Sequence, residues 1–141
     1  MDQSSFSKLV KVLQIAYPYY FKDLDETTSI AFLKLYYDNL KKYRYEIVAK
    51  VIDKIIKTHE YMPSLAELIK ECDNESKLYY RTILEKMYLA GYFKAEEEYG
   101  KAVMWLLDEK PLIPEWLEKD IINFENKTKM ISNRKELENN E

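Results

Sequence analysis

The sequence is poor in the residues that form tight turns, since it contains two glycines and four prolines among 141 residues. A fold built only from β-strands needs many tight turns and usually more of both residue types. Their scarcity favours helices, and a hydrophobic content of 47% is ample for a core. At this length the chain fits one domain, or one domain with a short appendage.

Cysteine and histidine are equally scarce, because Cys72 and His59 are the only residues of their types. One cysteine cannot form an internal disulfide, so nothing points to an oxidising compartment. The N-terminus lacks a basic run followed by an apolar core, and no apolar run approaches the ~18–20 residues that cross a bilayer. We therefore expect a cytoplasmic protein that does not bind a membrane.

Candidate catalytic and metal-binding groups lack the neighbours that such chemistry needs. His59 has no cluster of histidines and cysteines to join, so we expect it to lie at a helix end. Glu71 and Asp73 flank Cys72, and adjacent carboxylates oppose ionisation of a thiol, so we expect a half-buried apolar residue there. Residues 96–98 are all glutamate, but consecutive helical residues point about 100° apart and cannot converge on one ion. The sequence predicts neither an enzyme nor a cofactor site.

The charge is divided unevenly along the chain. Residues 1–72 carry 11 Lys and Arg against 10 Asp and Glu, whereas residues 73–141 carry 11 against 15. No predicted face is basic enough to follow a phosphate backbone, so direct nucleic-acid binding is not expected. The thirteen tyrosines are compatible with a surface on which the bases of single-stranded nucleic acid stack. Most of them lie on or beside apolar stripes, however, and favour packing at the margin of a core.

Apolar residues recur at steps of three and four through most of the chain, which predicts amphipathic helices. The pattern indicates an all-α protein, a small bundle of about four N-terminal helices plus two to three further helices and a polar tail. The predicted segments are a helical domain over residues 1–72, a second helical segment over 73–125 and a disordered tail over 126–141. The tail is predicted from its Asn, Lys and Glu content.

Two helices of the N-terminal half carry particular predictions. Aliphatic residues recur at helical spacing from Ile47 to Ile56, which makes the third predicted helix the clearest in the chain. Its isoleucines and valines also suit a strand, but period-two alternation is missing. In the helix before it, the predicted inner stripe is Ile30, Leu33, Tyr37 and Leu40, and Phe32 and Tyr36 widen it.

Other boundaries follow from polar and turn-forming residues. A short fourth helix, about residues 65–72, is predicted to end at the boundary Asp73–Ser76. A further helix is predicted after this boundary, and Gly91 is well placed as the left-handed cap of its C-terminal end. Pro111 and Pro114 are predicted to mark a kinked link before the last helix.

Two segments that combine aromatic residues with a proline, residues 17–23 and 61–69, bracket a pair of predicted amphipathic helices. We call them the aromatic–proline segments. Pro18 disfavours helical geometry at the residue before it, so the first helix should end near Tyr17. In the second segment, Ser64 and Glu67 have the spacing of a capping box directly after Pro63. The structural motif residues are Tyr17, Pro18, Phe21, Tyr45, Pro63, Ser64 and Glu67.

The order of these motifs resembles the N-terminal domain of bacteriophage replicative-helicase loader/inhibitor proteins. The resemblance covers about residues 6–72. The matching positions are Tyr17, Pro18, Phe21, Lys22, Asp23, Tyr43, Tyr45, Glu46, Val48, Pro63, Ser64, Ala66 and Ile69. The resemblance implies a non-enzymatic phage or prophage protein in the bacterial cytoplasm. Such a protein binds a hexameric replicative helicase, restrains its ATPase and passes it to an origin-bound initiator, which is a second implied partner.

In this family the C-terminal segment is expected to contribute to helicase binding. The resemblance therefore gives a role to the apolar residues that follow Pro114. The partner-binding residues are predicted to be Trp116, Phe124, Met130 and Ile131. The alternative for these four side chains is local packing within the chain, and the functional interpretation is an apolar face that docks on another protein.

Two other functions stay open. A DNA-binding replication or regulatory module would use the helix that begins at Leu65 in helix-turn-helix fashion. Such a helix needs exposed cations, and Lys70 is the only one on it. An inhibitor of a host helicase loader would differ from the first hypothesis only in its partner.

Overall fold

The computed structural model describes residues 1–93, 96–108 and 113–139, and within these ranges it describes side chains as far as residue 130. These residues form seven helices and no strand, so the predicted all-α class is confirmed. The helices are α1 Gln3–Ala16, α2 Pro18–Lys22, α3 Glu26–Leu40, α4 Tyr45–Thr58, α5 Leu65–Leu89, α6 Glu96–Leu107 and α7 Glu115–Asn139. The chain divides into two compact units, Met1–Leu78 (unit 1) and Tyr79–Glu141 (unit 2).

Helix α1 opens unit 1 and supplies part of its core. The Asp2 carboxylate accepts a hydrogen bond from the Ser5 amide at 2.7 Å, which satisfies one of the free donors at the helix start. The helix ends before Tyr17, as predicted, and Pro18 takes the first position of the short helix α2. The buried stripe of α1 consists of Phe6, Leu9, Val10 and Leu13.

Helix α3 buries only part of the stripe predicted for it, since Leu40 is buried and Tyr37 is half-buried against the core. Phe32 and Tyr36 are buried, whereas Ile30 is 61% exposed and Leu33 is 40% exposed. The rings of Phe32 and Tyr36 stack with centroids 3.9 Å apart, and Phe21 of α2 meets Phe32 edge-on at 5.3 Å. Large rings bury more apolar area than aliphatic side chains do, so the aromatic face lies inside.

Helix α4 has the most regular apolar stripe and lies at the centre of the unit 1 core. Every residue of the stripe predicted for this helix is buried except Ile56, which is partly buried. The alternative of a β-strand in this segment is wrong. On the outer face, Lys57 Nζ lies 2.9 Å from Asp53 Oδ2, one turn away. The buried residues of α4 are Ile47, Val48, Val51, Ile52 and Ile55.

Helix α5 is continuous over 25 residues. The predicted helix end near Cys72 and the predicted helix boundary at Asp73–Ser76 are therefore wrong. No glycine or proline interrupts this stretch, and polar residues alone do not stop a helix. The division between the two units falls inside α5. The predicted segments 1–72, 73–125 and 126–141 stay a prediction.

Two polar contacts hold this part of α5 to the rest of unit 1. The Tyr43 hydroxyl donates a hydrogen bond to Asp73 Oδ1, and Lys50 Nζ lies 3.3 Å from Glu75 Oε2. Both carboxylates project from the stretch that was predicted to be a boundary between helices. Because the Asp73 and Glu75 carboxylates both have partners, the helix continues through these residues without leaving either carboxylate unpaired.

Unit 2 begins in α5 and has its own core. Gly91 ends α5 with φ +70°, while the Tyr92 amide donates to Met87 O at 2.9 Å and the Gly91 amide to Tyr88 O at 3.0 Å. This pair of bonds is the Schellman motif, so the predicted glycine cap is confirmed. The buried residues of this core are Leu84, Met87, Ala102, Leu117 and Ile121.

Helix α7 follows Pro114, whose carbonyl accepts hydrogen bonds from the Leu117 and Glu118 amides at 3.1 and 3.0 Å. The helix continues to Asn139, past the predicted end of the last helix at residue 125. Lysine, glutamate and arginine are strong helix formers, and no glycine or proline follows Pro114. The predicted disorder of residues 126–141 stays a prediction. Pro111, predicted to mark the preceding link, lies outside the described residues.

Candidate functional site

The first aromatic–proline segment contacts the C-terminal end of α4, which lies just before the second segment in the chain. Tyr17 is buried, and its hydroxyl donates to His59 O at 2.8 Å, with Ile55 O at 3.3 Å. The last carbonyl groups of a helix have no partner within the helix, so Tyr17 supplies a donor at the C-terminal end of α4. Burial raises the pKa of the Tyr17 hydroxyl, which therefore keeps its proton for this contact at neutral pH.

The predicted capping box forms only in part. Ser64 Oγ accepts a hydrogen bond from the Glu67 amide at 3.2 Å, and Pro63 before it is buried. The Glu67 carboxylate does not complete the box but points to His59, with Oε1 2.8 Å from Nε2. The side chain predicted to cap its own helix therefore links the start of α5 to the end of α4.

The only histidine of the chain is engaged at both ring nitrogens. Besides the Glu67 contact, Nδ1 lies 2.8 Å from Thr58 Oγ1, and that hydroxyl donates to Lys54 O at 2.8 Å. This arrangement gives His59 a structural role at the helix end.

Among the residues with described side chains, no group of three or more His, Cys, Asp or Glu could hold a metal ion.

Cys72 lies in the core of unit 1 and is fully buried rather than half-buried. Burial, joined by the Asp73 and Glu71 carboxylates, raises the pKa of its thiol to about 12. A thiol of this kind is almost entirely protonated at neutral pH and is a poor nucleophile.

Burial and the hydrogen bond to Asp73 also raise the pKa of the Tyr43 hydroxyl, so this hydroxyl stays a donor.

The other motif residues have structural positions in unit 1. Pro18 is exposed at the first position of α2, and Phe21 is half-buried against Phe32. Tyr45 is 37% exposed at the first position of α4. These residues shape the ends of helices, which gives the aromatic–proline motifs a structural meaning.

The four predicted partner-binding residues lie on α7 and differ in exposure. Trp116 is 42% exposed and Met130 is 58% exposed. About four helical turns separate them, so they lie on nearly the same face of the helix. Phe124 is half-buried and packs edge-on against Tyr92, with centroids 5.8 Å apart. Ile131 belongs to the part of α7 whose side chains are not described.

Sequence reasoning missed other exposed apolar side chains in both units. In unit 1, Ile15 is 81%, Tyr19 is 86% and Tyr61 is 79% exposed. Ile15 and Tyr19 lie two residues on either side of Tyr17, and Tyr61 lies two residues after His59. A second stripe on α1, at the spacing of i, i+3, i+4 and i+7, is the sequence signal that could have revealed Ile15.

In unit 2, the most exposed apolar side chains with described positions include Leu89 at 77%, Leu107 at 68% and Met104 at 57%. Ile122, at 43% exposed, lies on α7 about 120° around the helix from Trp116.

None of the helices in the described part of the chain combines the length and the apolar character that a membrane span needs.

Comparison with known families adds an independent observation. Residues 1–69 match the family model for the N-terminal domain of phage helicase loader/inhibitor proteins. The match confirms the resemblance predicted from the aromatic–proline motifs. No curated protein and no solved structure matches the chain.

Proposed function

We propose, from the premise that residues 1–69 form a domain of the phage helicase loader/inhibitor family, that this protein is an accessory factor of DNA replication. In this proposal it binds a hexameric replicative helicase of a phage or its bacterial host, restrains the helicase ATPase and helps to deliver the helicase to the origin. The family match is the observation that carries the proposal. A cytoplasmic adaptor without chemistry of its own fits this role.

The side chains of unit 1 support an adaptor rather than an enzyme. Both nitrogens of His59 are occupied by Thr58 and Glu67, and Cys72 is buried with a raised pKa. Neither residue is available as a nucleophile or a general base in this conformation. Binding energy in such a protein comes from surface complementarity.

We place the helicase-binding surface on α7. Trp116 and Met130 are exposed apolar side chains on one face of that helix, and tryptophan is enriched among the residues that dominate binding energy. Phe124 packs on unit 2 and would orient α7, and Ile131 is the residue next to Met130. Trp116 and Met130 are 14 residues apart, so a groove that binds both has to follow about four turns of α7.

A binding experiment on the full chain tests this proposal. Trp116→Ala should weaken binding to the purified replicative helicase by about tenfold or more, since truncating a central aromatic anchor commonly costs ~2 kcal/mol. Ile122→Ala is the matched control, because Ile122 is equally exposed on another side of α7. It should change the affinity by less than about twofold. The ATPase rate of the helicase provides a second readout, and restraint should be lost with Trp116→Ala.

The possible outcomes separate the surface from the function. Equal weakening by both variants, or by neither, would remove Trp116 from the mechanism while leaving the helicase as partner. If the unaltered protein does not bind the helicase, the loader function is wrong. Binding to a purified host helicase loader instead of the helicase would identify an inhibitor of that loader.

A further inference from the structure

Helix α1 carries two stripes rather than one. The buried stripe, from Phe6 to Leu13, faces the core of unit 1. On the opposite side, four residues recur at i, i+3, i+4 and i+7, which places them within about 100° of one another around the helix. These residues are Lys8, Lys11, Val12 and Ile15, and all of them are exposed.

The exposure of Ile15 is not explained by the folding of unit 1. An isoleucine that is 81% exposed contributes little to the burial of apolar surface, which is the main stabilising term of folding. Val12, one turn earlier, is 44% exposed. The inner stripe already anchors α1, so the outer aliphatic residues are free for another surface.

Helix α2, which follows α1 directly in the chain, exposes further residues. Tyr19 is 86% exposed, and Lys22 ends the helix with an exposed cation. Tyr20 differs, because its ring packs against Phe21 and Phe32 with centroids 5.0 and 6.1 Å apart. We define the α1–α2 outer face as Lys8, Lys11, Val12, Ile15, Tyr19 and Lys22.

The charge of this face has one sign. Between Asp2 and Asp23 the sequence has three lysines and no acidic residue. The whole chain, in contrast, has 25 acidic residues against 22 basic ones. A ligand that covers the α1–α2 outer face therefore has to bring negative charge to the lysines, together with apolar groups for Val12, Ile15 and Tyr19.

The aliphatic side chains decide between two anionic ligands. Single-stranded nucleic acid is bound by several aromatic rings on which successive bases stack, and Tyr19 is the one ring of this face beside the aliphatic Val12 and Ile15. A partner helix instead presents rows of apolar side chains at three- and four-residue spacing, which match the spacing of the outer stripe. Its acidic residues would flank that row.

We propose that the α1–α2 outer face binds an acidic amphipathic helix of a partner protein. The apolar row of that helix packs on Val12, Ile15 and Tyr19, and its carboxylates pair with the three lysines. The proposed surface lies wholly within unit 1, so it does not depend on the proposed role of α7 in binding a helicase.

A titration of the isotope-labelled full chain with designed peptides tests the proposal. The probe is a peptide of about 18 residues, five helical turns, with leucine on one face and glutamate on the other. The matched peptide carries lysine in place of every glutamate. The acidic peptide should shift the amide resonances of residues 3–22 and bind about tenfold or more tightly than the basic one, with an affinity that falls as salt is added.

Variants of the full chain locate the contact. The charge reversal Lys8→Glu with Lys11→Glu and the pair Ile15→Ser with Tyr19→Ser should each weaken binding of the acidic peptide by about tenfold or more. Lys34→Glu and Leu35→Ser are matched controls, since both residues are exposed on α3. They should change the affinity by less than about twofold. All substitutions are at exposed positions, and unchanged circular dichroism would verify that the fold is intact.

Three results would overturn the proposal. The acidic peptide could leave the resonances of residues 3–22 unmoved at millimolar concentration. The acidic and basic peptides could bind equally well, which would make the contact nonspecific. An oligothymidine of about 18 nucleotides could bind the same residues more tightly than the acidic peptide, which would assign the face to nucleic acid.

Discussion

Tyr17 connects two parts of unit 1 that are far apart in the sequence. Its ring is buried in the core, and its hydroxyl reaches a carbonyl 42 residues away at the end of α4. The same residue ends α1, because Pro18 restricts its backbone. One helix thus ends at Tyr17 because of the proline that follows, and the Tyr17 side chain stabilises the end of another helix.

Replacement of this hydroxyl is a direct test of that role. Tyr17→Phe should lower the free energy of unfolding by about 1–2 kcal/mol, because the His59 carbonyl loses its donor in a partly buried position. Urea unfolding measures the change. Tyr19→Phe removes a hydroxyl from a ring that is 86% exposed and should have almost no effect. Similar losses in the two variants would contradict the capping role of Tyr17.

The sequence identified Tyr17, Pro63 and Ser64 as structural residues, but it could not reveal their partners. Local rules describe a residue and its near neighbours, as in the capping box of Ser64 and Glu67. The contact between Glu67 and His59 depends on how α4 and α5 pack, and tertiary packing prevailed over the local hydrogen bond. The same limit explains why the exposure of Tyr19 was missed.

At the level of helices, prediction worked where one face is apolar and the opposite face is charged. The stripe of α4 is such a case, and the cap of α5 was predicted because glycine has a specific conformational role there. Helix α3 differs because apolar residues occupy most of positions 30–37, so several faces could be buried. The stacking of Phe32 and Tyr36 then selects the buried face, and periodicity alone contains no information about ring packing.

The continuity of α5 can be tested by a proline at the predicted break. Asn74→Pro should destabilise unit 1 by about 3 kcal/mol or more, because proline removes a helix hydrogen bond and clashes with the preceding turn. Asn74→Ala is the matched control at this exposed position and should be neutral or slightly stabilising. Thermal unfolding followed by circular dichroism compares them. Tolerance of proline would indicate a helix boundary at residues 73–76, as the sequence predicted.

At the level of the molecule, the stretch that matches the family model is shorter than the compact unit that contains it. The family match ends at residue 69, whereas unit 1 extends to Leu78. The intervening residues include Cys72 in the core and Asp73, which accepts the Tyr43 hydrogen bond. A pattern shared by a family can therefore end before the contacts that complete the fold.

Two fragments would show where the folded unit ends. A fragment of residues 1–78 should unfold cooperatively, whereas a fragment of residues 1–69 should be less stable by about 3 kcal/mol or more. The shorter fragment loses the buried Cys72 and leaves the Tyr43 hydroxyl without its acceptor, and each loss costs on the order of 1–3 kcal/mol. Urea unfolding of both fragments gives the comparison. Equal stability would mean that the family domain is complete at residue 69.

The buried thiol of Cys72 also has a kinetic consequence. A disulfide reagent reaches it only when α5 separates from the core, because the side chain has no exposed surface in the folded unit. Since the chain has no other cysteine, the rate of labelling under native conditions reports that opening alone. The protein thus carries an intrinsic probe of the local opening equilibrium of unit 1, and a partner that binds the closed form of unit 1 should slow the reaction.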